Sequence, residues 1–316
     1  MSCAFGYAQE TYDIDKADST IKANGGYLIS SSDGECFVFD LNTESYTPRK
    51  EFIRKYGKKT FEKVEEVDNE RKAAETAAKQ NKAIAETRKR AMDDLLAIDS
   101  YESISHNDNQ YSYILDAIDG SQDGIIDYLE AALFFKENIT GIDENGNISI
   151  VNIIQCPRMS KDQIYIQANS WFVNTFNSGK SVIQLNDKDM GVILAKGYLS
   201  SIADQIGFAI SYEISADVIF RIDIKDGRTR LIMTIQNYDS VNRGGVAGAL
   251  SGNTSQSMAS YKPCDVYPFV DKNMGVSRKA GAKAFCACCM YMIAMKNQLQ
   301  KAINSGIIGI DADDNW

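Results

Sequence analysis

Two runs of alternating apolar and polar residues, FRIDI and RTRLIMTI, stand on either side of Lys225-Asp226-Gly227. A side-chain period of two is the signature of a strand with one buried face. Asp-Gly between two such runs supplies the positive-φ residues of a tight two-residue connection, so the segment predicts an antiparallel hairpin. That single feature commits the second half of the chain to an antiparallel sheet, which can keep one face wet and pack helices on the other.

The neighbouring segments extend the same pattern. NISIVNIIQC reads as a strand ending at Pro157, and Ser160 as the N-cap of a helix running to Phe176, with Ile164, Ala168, Trp171 and Phe172 on one stripe. Asn177–Gly179 ends that helix. SVIQL, a turn at Asn186–Met190, VILAKGYLS and FAISYEISADVIFRIDI then lead into the hairpin. The order is β-α-β-β-β-β, an antiparallel meander of α+β class with one face free for helices. Ser277 caps a last helix on which Phe285, Cys288, Met292, Met295, Leu299 and Ile303 recur at 3–4 spacing, a stripe expected to lie against the sheet. Between these, residues 242–262 are rich in Gly, Ser and Asn. Gly244, Gly245 and Gly248 lack the following Lys-Ser/Thr of a phosphate-binding loop, so this stretch is expected to be a loop excursion.

The first half is organised differently. Residues 1–9 are a candidate remnant of an export signal, with the small residues Gly6 and Ala8 ahead of Gln9. Residues 10–45 read as a small β-hairpin, GGYLIS and ECFVFDL joined by SSDG. Residues 46–140 form a helical region. From Thr47 to Ile98 only Pro48 and Gly57 interrupt a run rich in Ala, Glu, Lys and Arg, which predicts a long helix broken once. Its seam of Phe61, Val64, Val67, Ala74, Ala78, Ile84 and Met92 is thin. An alanine seam buries little, so it calls for a partner helix, another chain in a coiled coil, or partial solvation. Residues 304–316 are a C-terminal tail.

The sharpest local chemistry lies in Asp119–Glu130. Counted from Asp119, oxygen-bearing side chains fall at positions 1, 3, 5, 9 and 12: Asp119, Ser121, Asp123, Asp127 and Glu130. Gly124 takes position 6, where an EF-hand loop turns sharply, and Ile125 would offer its carbonyl from position 7. Calcium is a hard cation that takes six to eight oxygens, and this spacing is the one that converges them. The competing reading is an acidic helix–helix turn. No second such loop is present to pair with it.

Other chemistry is sparse. His106 is the only imidazole and has no nucleophile at a recognisable spacing, so a hydrolase-type enzyme with an unrecognised site is the alternative rather than the leading reading. Of seven cysteines, Cys286, Cys288 and Cys289 crowd into one apolar helix, where buried thiols behave as small hydrophobes. A net charge of −9 argues against a nucleic-acid partner, and no apolar run approaches the length of a transmembrane segment.

The strand into SKDQIYIQANSWFVNTF, then KSVIQLNDKDMGVILAKGYL, then FRIDIKDGRTRLIMTI resembles a bacterial family, a domain of unknown function with a TBP-like fold. Trp171, the Gly191-to-Gly197 strand and the Lys225-Asp226-Gly227-Arg228 turn carry the resemblance, over about residues 148–238 plus the C-terminal helix. It implies a TBP-like β-α-β4-α domain over 146–303 with the Ser277 helix as the second helix. It also implies export from gut-type Gram-negative bacteria, to the periplasm or cell envelope. The family lends no catalytic residues. The chain is therefore expected to be a non-catalytic exported binding or scaffold protein with a structural calcium site. Its partner would be a protein or envelope component, and the long helix offers a surface for oligomerisation. Arg221, Lys225, Arg228 and Arg230 gather around one hairpin, either as an anion or partner contact or as alternating charge on a wet sheet face.

Overall fold

The computed structural model describes residues 26–32, 35–98, 109–120, 124–143, 147–175, 182–252, 255–271 and 277–305. The chain divides into two units, residues 1–86 and 87–316.

In the first unit, the expected hairpin is a three-stranded antiparallel sheet: β1 (Tyr27–Ser32), β2 (Glu35–Asp40) and β3 (Ser45–Pro48). The third strand is short and ends at a proline, which a sheet edge tolerates. Helix α1 (Arg49–Tyr56) follows at once and ends at Gly57, whose φ of +88° only glycine adopts freely; its N–H closes on the Ile53 carbonyl at 2.9 Å. This is the single break expected in the helical run, and α2 (Lys58–Leu96) continues beyond it. Val38, Phe52, Phe61 and Val64 form the small core, with Tyr27 edge-on to Phe52 at 5.0 Å. Asp68 lies buried on α2, paired with Arg71 at 2.9 Å and Lys72 at 2.7 Å, while Lys72 Nζ also donates to the Ile29 carbonyl. The expected hairpin residues before Gly26 lie outside the described residues.

In the second unit, α3 (Asn109–Asp119) and α4 (Tyr128–Asn138) precede a seven-stranded antiparallel sheet. Its strands are β4 (Gly141–Ile142), β5 (Ile148–Gln155), β6 (Val182–Asp187), β7 (Val192–Gln205), β8 (Ile210–Lys225), β9 (Arg228–Gly244) and β10 (Gln256–Tyr261). The order is β4-β5-β9-β8-β7-β6. One side of β9 pairs with β8 along most of its length; the other side pairs first with β5 (Ile148↔Ile235 to Gln155↔Arg228) and then with β10 (Tyr261↔Tyr238 to Gln256↔Arg243). Helix α5 (Lys161–Thr175) crosses from β5 to β6. Ser160 and Gln163 form a reciprocal capping box at its start: the Ser160 N–H donates to Gln163 Oε1 at 2.9 Å, and the Gln163 N–H donates to Ser160 Oγ at 3.3 Å.

The last helix, α7 (Arg278–Ser305), starts where Ser277 Oγ accepts the Ala280 N–H at 3.1 Å. Phe285, Cys288, Met292, Met295, Leu299 and Ile303 are all buried, as their stripe predicts. The burial goes further, for Ala284 through Met295 are buried on every side of the helix. A helix apolar all round lies inside a protein rather than on it. Here the sheet covers one side of α7, and α4 and α5 cover others.

The Gly/Ser/Asn-rich segment 242–262 departs from the loop expected of it. β9 continues through Gly244, a short helix α6 (Val246–Ser251) follows, and β10 returns to pair with β9. Glycine is required here for close approach: a Cβ on Gly245 would stand 2.1 Å from the Gly207 carbonyl oxygen. The Gly245, Val246 and Ala247 N–H groups instead donate to the Ala209, Gly207 and Phe208 carbonyls of the β7–β8 turn. These three bonds lock the two backbone segments together.

Candidate functional site

The loop between α3 and α4 is partly described. Asp119, the first position, is the last residue of α3, and Tyr128, the tenth, is the first of α4. Gly124, the sixth, has φ +78°. Three carboxylates here, those of Asp116, Asp119 and Asp127, are engaged by the chain's own donors. Asp119 Oδ2 accepts the Asp127 N–H at 2.6 Å, Asp127 Oδ1 caps α4 through the Leu129 N–H at 2.9 Å, and Asp116 Oδ1 accepts the Gly124 N–H at 3.0 Å. Arg88 donates to the Ile118 and Asp119 carbonyls at 2.8 and 2.9 Å, closing the C-terminus of α3. The Ile125 side chain is exposed, and Glu130 projects from the first turn of α4 as an exposed residue. Ser121 and Asp123 lie outside the described residues, as does His106. Among the described residues no group of three or more His, Cys, Asp or Glu is placed to hold a metal.

The cysteine-rich turn of α7 is sealed. Cys286, Cys288 and Cys289 are free thiols, each buried; burial pushes all three up, Cys288 to about 12. A thiolate is the nucleophile and the metal-binding form, so these groups are chemically silent near neutrality. The buried Tyr238 hydroxyl, on β9, faces the same cluster and is pushed well up by the same desolvation.

The basic hairpin is built differently. On β8 and β9 the alternation turns Ile222, Ile224, Thr229 and Leu231 inward and leaves Arg221, Asp223, Lys225, Arg228 and Arg230 on the opposite face. Register places Asp223 directly across from Arg230, and Arg230 across from Ile153 of β5. Asp223 Oδ1 accepts from Arg221 Nε at 2.8 Å and Oδ2 from Arg230 Nε at 2.9 Å. Burial alone would raise the Asp223 pKa, but the hydrogen bonds from the two guanidinium groups outweigh it and hold the carboxyl below its ordinary range. A cavity of about 260 Å³, open on one side, is lined by Ile153, Asp223, Lys225, Arg228, Thr229 and Arg230. Lys225 and Arg228, opposite one another beside the turn, meet no carboxylate among the described residues. The clustering of the four cations is legible in the sequence. The part played by Asp223 was readable from its place two residues from both Arg221 and Lys225, whereas that of Ile153 needed the β5–β9 register.

Residues 151–239 match the family described as a domain of unknown function (DUF4468) with TBP-like fold. The matched segment runs from β5 to β9, and the family has no established catalytic or ligand role to lend these residues. Two crystal structures are similar to about half of this chain. One is of a TBP-like protein from Parabacteroides distasonis ATCC 8503, at 16% identity over 52% of this chain and 97% of that one, with a TM-score of 0.38. The other is of a DUF4468 family protein from Bacteroides ovatus ATCC 8483, at 16% identity over 51% of this chain and 88% of that one, with a TM-score of 0.35. Comparison with curated proteins gives no match. The segment that matches the family follows the three-stranded sheet and the long helix in the chain, and among the described residues no helix is long and apolar enough to cross a membrane.

Proposed function

We propose that this protein is a non-catalytic, exported binding or scaffold protein of the periplasm or cell envelope, in which α2 contacts another protein or envelope component. One observation carries the reading. From residue 69 to residue 90 no side chain of α2 is buried, although Ala74, Ala78, Ile84 and Ala85 hold its apolar seam half-covered. A helix gains most of its stability by packing an apolar face, and among the described residues none buries a side chain of this stretch. A partner helix, or the same seam of a second copy, would supply that packing. Export rests on Gly6 and Ala8 ahead of Gln9, and the binding role on the uncovered stretch of α2.

Sedimentation velocity and pull-down from envelope extract, on wild type and an Ala78→Glu/Ile84→Glu variant, test it. The expected result is self-association or a captured partner in the wild type and its loss in the variant. A strictly monomeric protein that captures nothing sinks the reading.

The reading includes a structural calcium site at Asp119, Ser121, Asp123, the Ile125 carbonyl, Asp127 and Glu130. Supporting it are the left-handed Gly124 at the sixth position and the helices that end and begin at the first and tenth. An unpaired loop belongs at the weak end of the scale, with a Kd of about 10⁻⁴–10⁻³ M. Calorimetry at millimolar calcium should give binding heat in the wild type and little in Glu130→Gln. No heat in the wild type, or equal heat in both, leaves an acidic turn.

A further inference from the structure

We propose that the cavity at the β8–β9 hairpin is a recognition site for an acidic polypeptide segment, one that presents a Glu or Asp carboxylate beside an apolar side chain. This rests on the binding-protein reading and gives it a second surface, on the sheet domain itself.

The site is a fixed array of cations. Asp223, with its side chain only 15% exposed, is shared by Arg221 and Arg230 and holds both guanidinium groups on the outward face of the sheet. One carboxylate cannot neutralise two guanidinium groups. Lys225 and Arg228, the next facing pair toward the turn, add their charges to the cavity lining, and the further carboxylate at the turn, Asp226, is engaged by the Lys161 N–H at 2.7 Å. The cavity therefore carries surplus positive charge in a protein whose net charge is −9. Strands, unlike loops, hold such groups at set spacing, and an arginine fork so held suits the planar geometry of a carboxylate.

The apolar half of the site lies alongside. Val151 and Ile153, on the outward face of β5, are 57% and 58% exposed, and Ile232 lies across from Val151 on β9. The cavity is open on one side, so it covers only part of whatever enters it. A free small molecule is held well when about 70–90% of its surface is buried, which an open cavity does not achieve. A side chain carried on a larger partner has no such need, because the rest of the partner rests on the neighbouring apolar residues. The pairing of exposed aliphatic side chains with surplus cations selects an acidic peptide of mixed character over a purely anionic polymer.

The test is an amide-shift titration of the full chain with a blocked peptide alternating Val and Glu. Its Val/Gln counterpart, inorganic phosphate and duplex DNA serve as parallel probes. Shifts confined to residues 151–155 and 221–230 are expected with the Val/Glu peptide alone. Raising salt from about 20 mM to about 300 mM, which shortens the screening length several-fold, should weaken them. A Lys225→Gln/Arg228→Gln variant, changed only at exposed side chains, should bind about tenfold more weakly with an unaltered melting temperature. The proposal is overturned by equal shifts from the Val/Gln peptide, by equal or stronger shifts from phosphate or DNA, by an unaffected variant, or by no localised shift at millimolar peptide. None of these outcomes bears on α2, whose partner is read by sedimentation and pull-down.

Discussion

Replacing Gly197 by Ala tests whether the sheet-to-helix core is as tightly packed as it looks. In an extended strand the substitution is ordinarily favourable, because alanine loses less backbone entropy on folding, by about 0.4–1 kcal/mol. At Gly197 the structure reverses that sign. A Cβ there would stand 2.6 Å from Phe220 Cε2 and 3.2 Å from Val218 Cγ2. The Phe220 ring is fully buried and backed by Phe172, whose ring lies 6.2 Å away edge-on and in turn 4.9 Å from Trp171. With nowhere to move, the ring forces overpacking, at about 1–3 kcal/mol. The net loss should be about 0.5–2.5 kcal/mol. With a urea slope of about 2–3 kcal/mol per molar, the midpoint falls by roughly 0.2–1 M. Trp171 fluorescence is a suitable probe, since its indole sits in the affected cluster. The second arm is Phe220→Leu, which removes the offending ring edge and by itself costs about 1–2 kcal/mol for the space it leaves. In that background Gly197→Ala should be nearly neutral. A raised midpoint in the single variant, or losses that add within about 0.5 kcal/mol in the double, would refute the clash.

Two further outcomes follow from the charges and the thiols. Burial works to raise the Asp68 pKa, but hydrogen bonds from Lys72, Arg71 and the Ile29 N–H outweigh it and leave it lowered. Its contribution to stability is therefore complete above the ordinary carboxylate range of about 4 and lost as pH falls through the lower folded value. Amide exchange in the first turns of α2 should accelerate on acidification in the wild type. In Asp68→Asn it should already be faster at neutral pH, by about 1–3 kcal/mol of opening energy, and much less acid-sensitive. Alkylation of the native protein near pH 8, mapped by mass spectrometry, should mark the half-buried Cys36 and Cys264 and spare Cys286, Cys288 and Cys289 until urea is added. Labelling of that trio in the folded protein would show that α7 is not sealed.

What could be read from the sequence was what depends on neighbours a few residues apart. Ser160 with Gln163, Ser277 with Ala280, Gly57 as a helix break and Asp226-Gly227 as a turn each act within one turn of chain, so spacing alone finds them. Elements defined by distant partners were not legible. Segment 256–261, QSMASY, is polar and weakly patterned, and it is a strand only because the far half of β9 offers it an unpaired edge. The same holds for β9 beyond Tyr238, where the buried inward residue is Ser240 rather than an aliphatic one. The stripe on α7 was visible, but its burial on every side was not, because that depends on helices drawn from elsewhere in the chain. At the candidate site the cations were legible and their geometry was not, since Ile153 and Arg230 are neighbours only through the pairing of β5 with β9.

The two strands that share one side of β9 set the order in which the sheet comes apart. Peeling β10 away releases only the far end of β9, and peeling β5 releases only the near end; in either case β8 still holds the strand. Amide protons of β9 that bond to β8 should therefore exchange later than those that bond to β5 or β10, while β10 itself exchanges through a shallow local opening. A strand with a different companion at each end of one side lets either end breathe while its other side stays held.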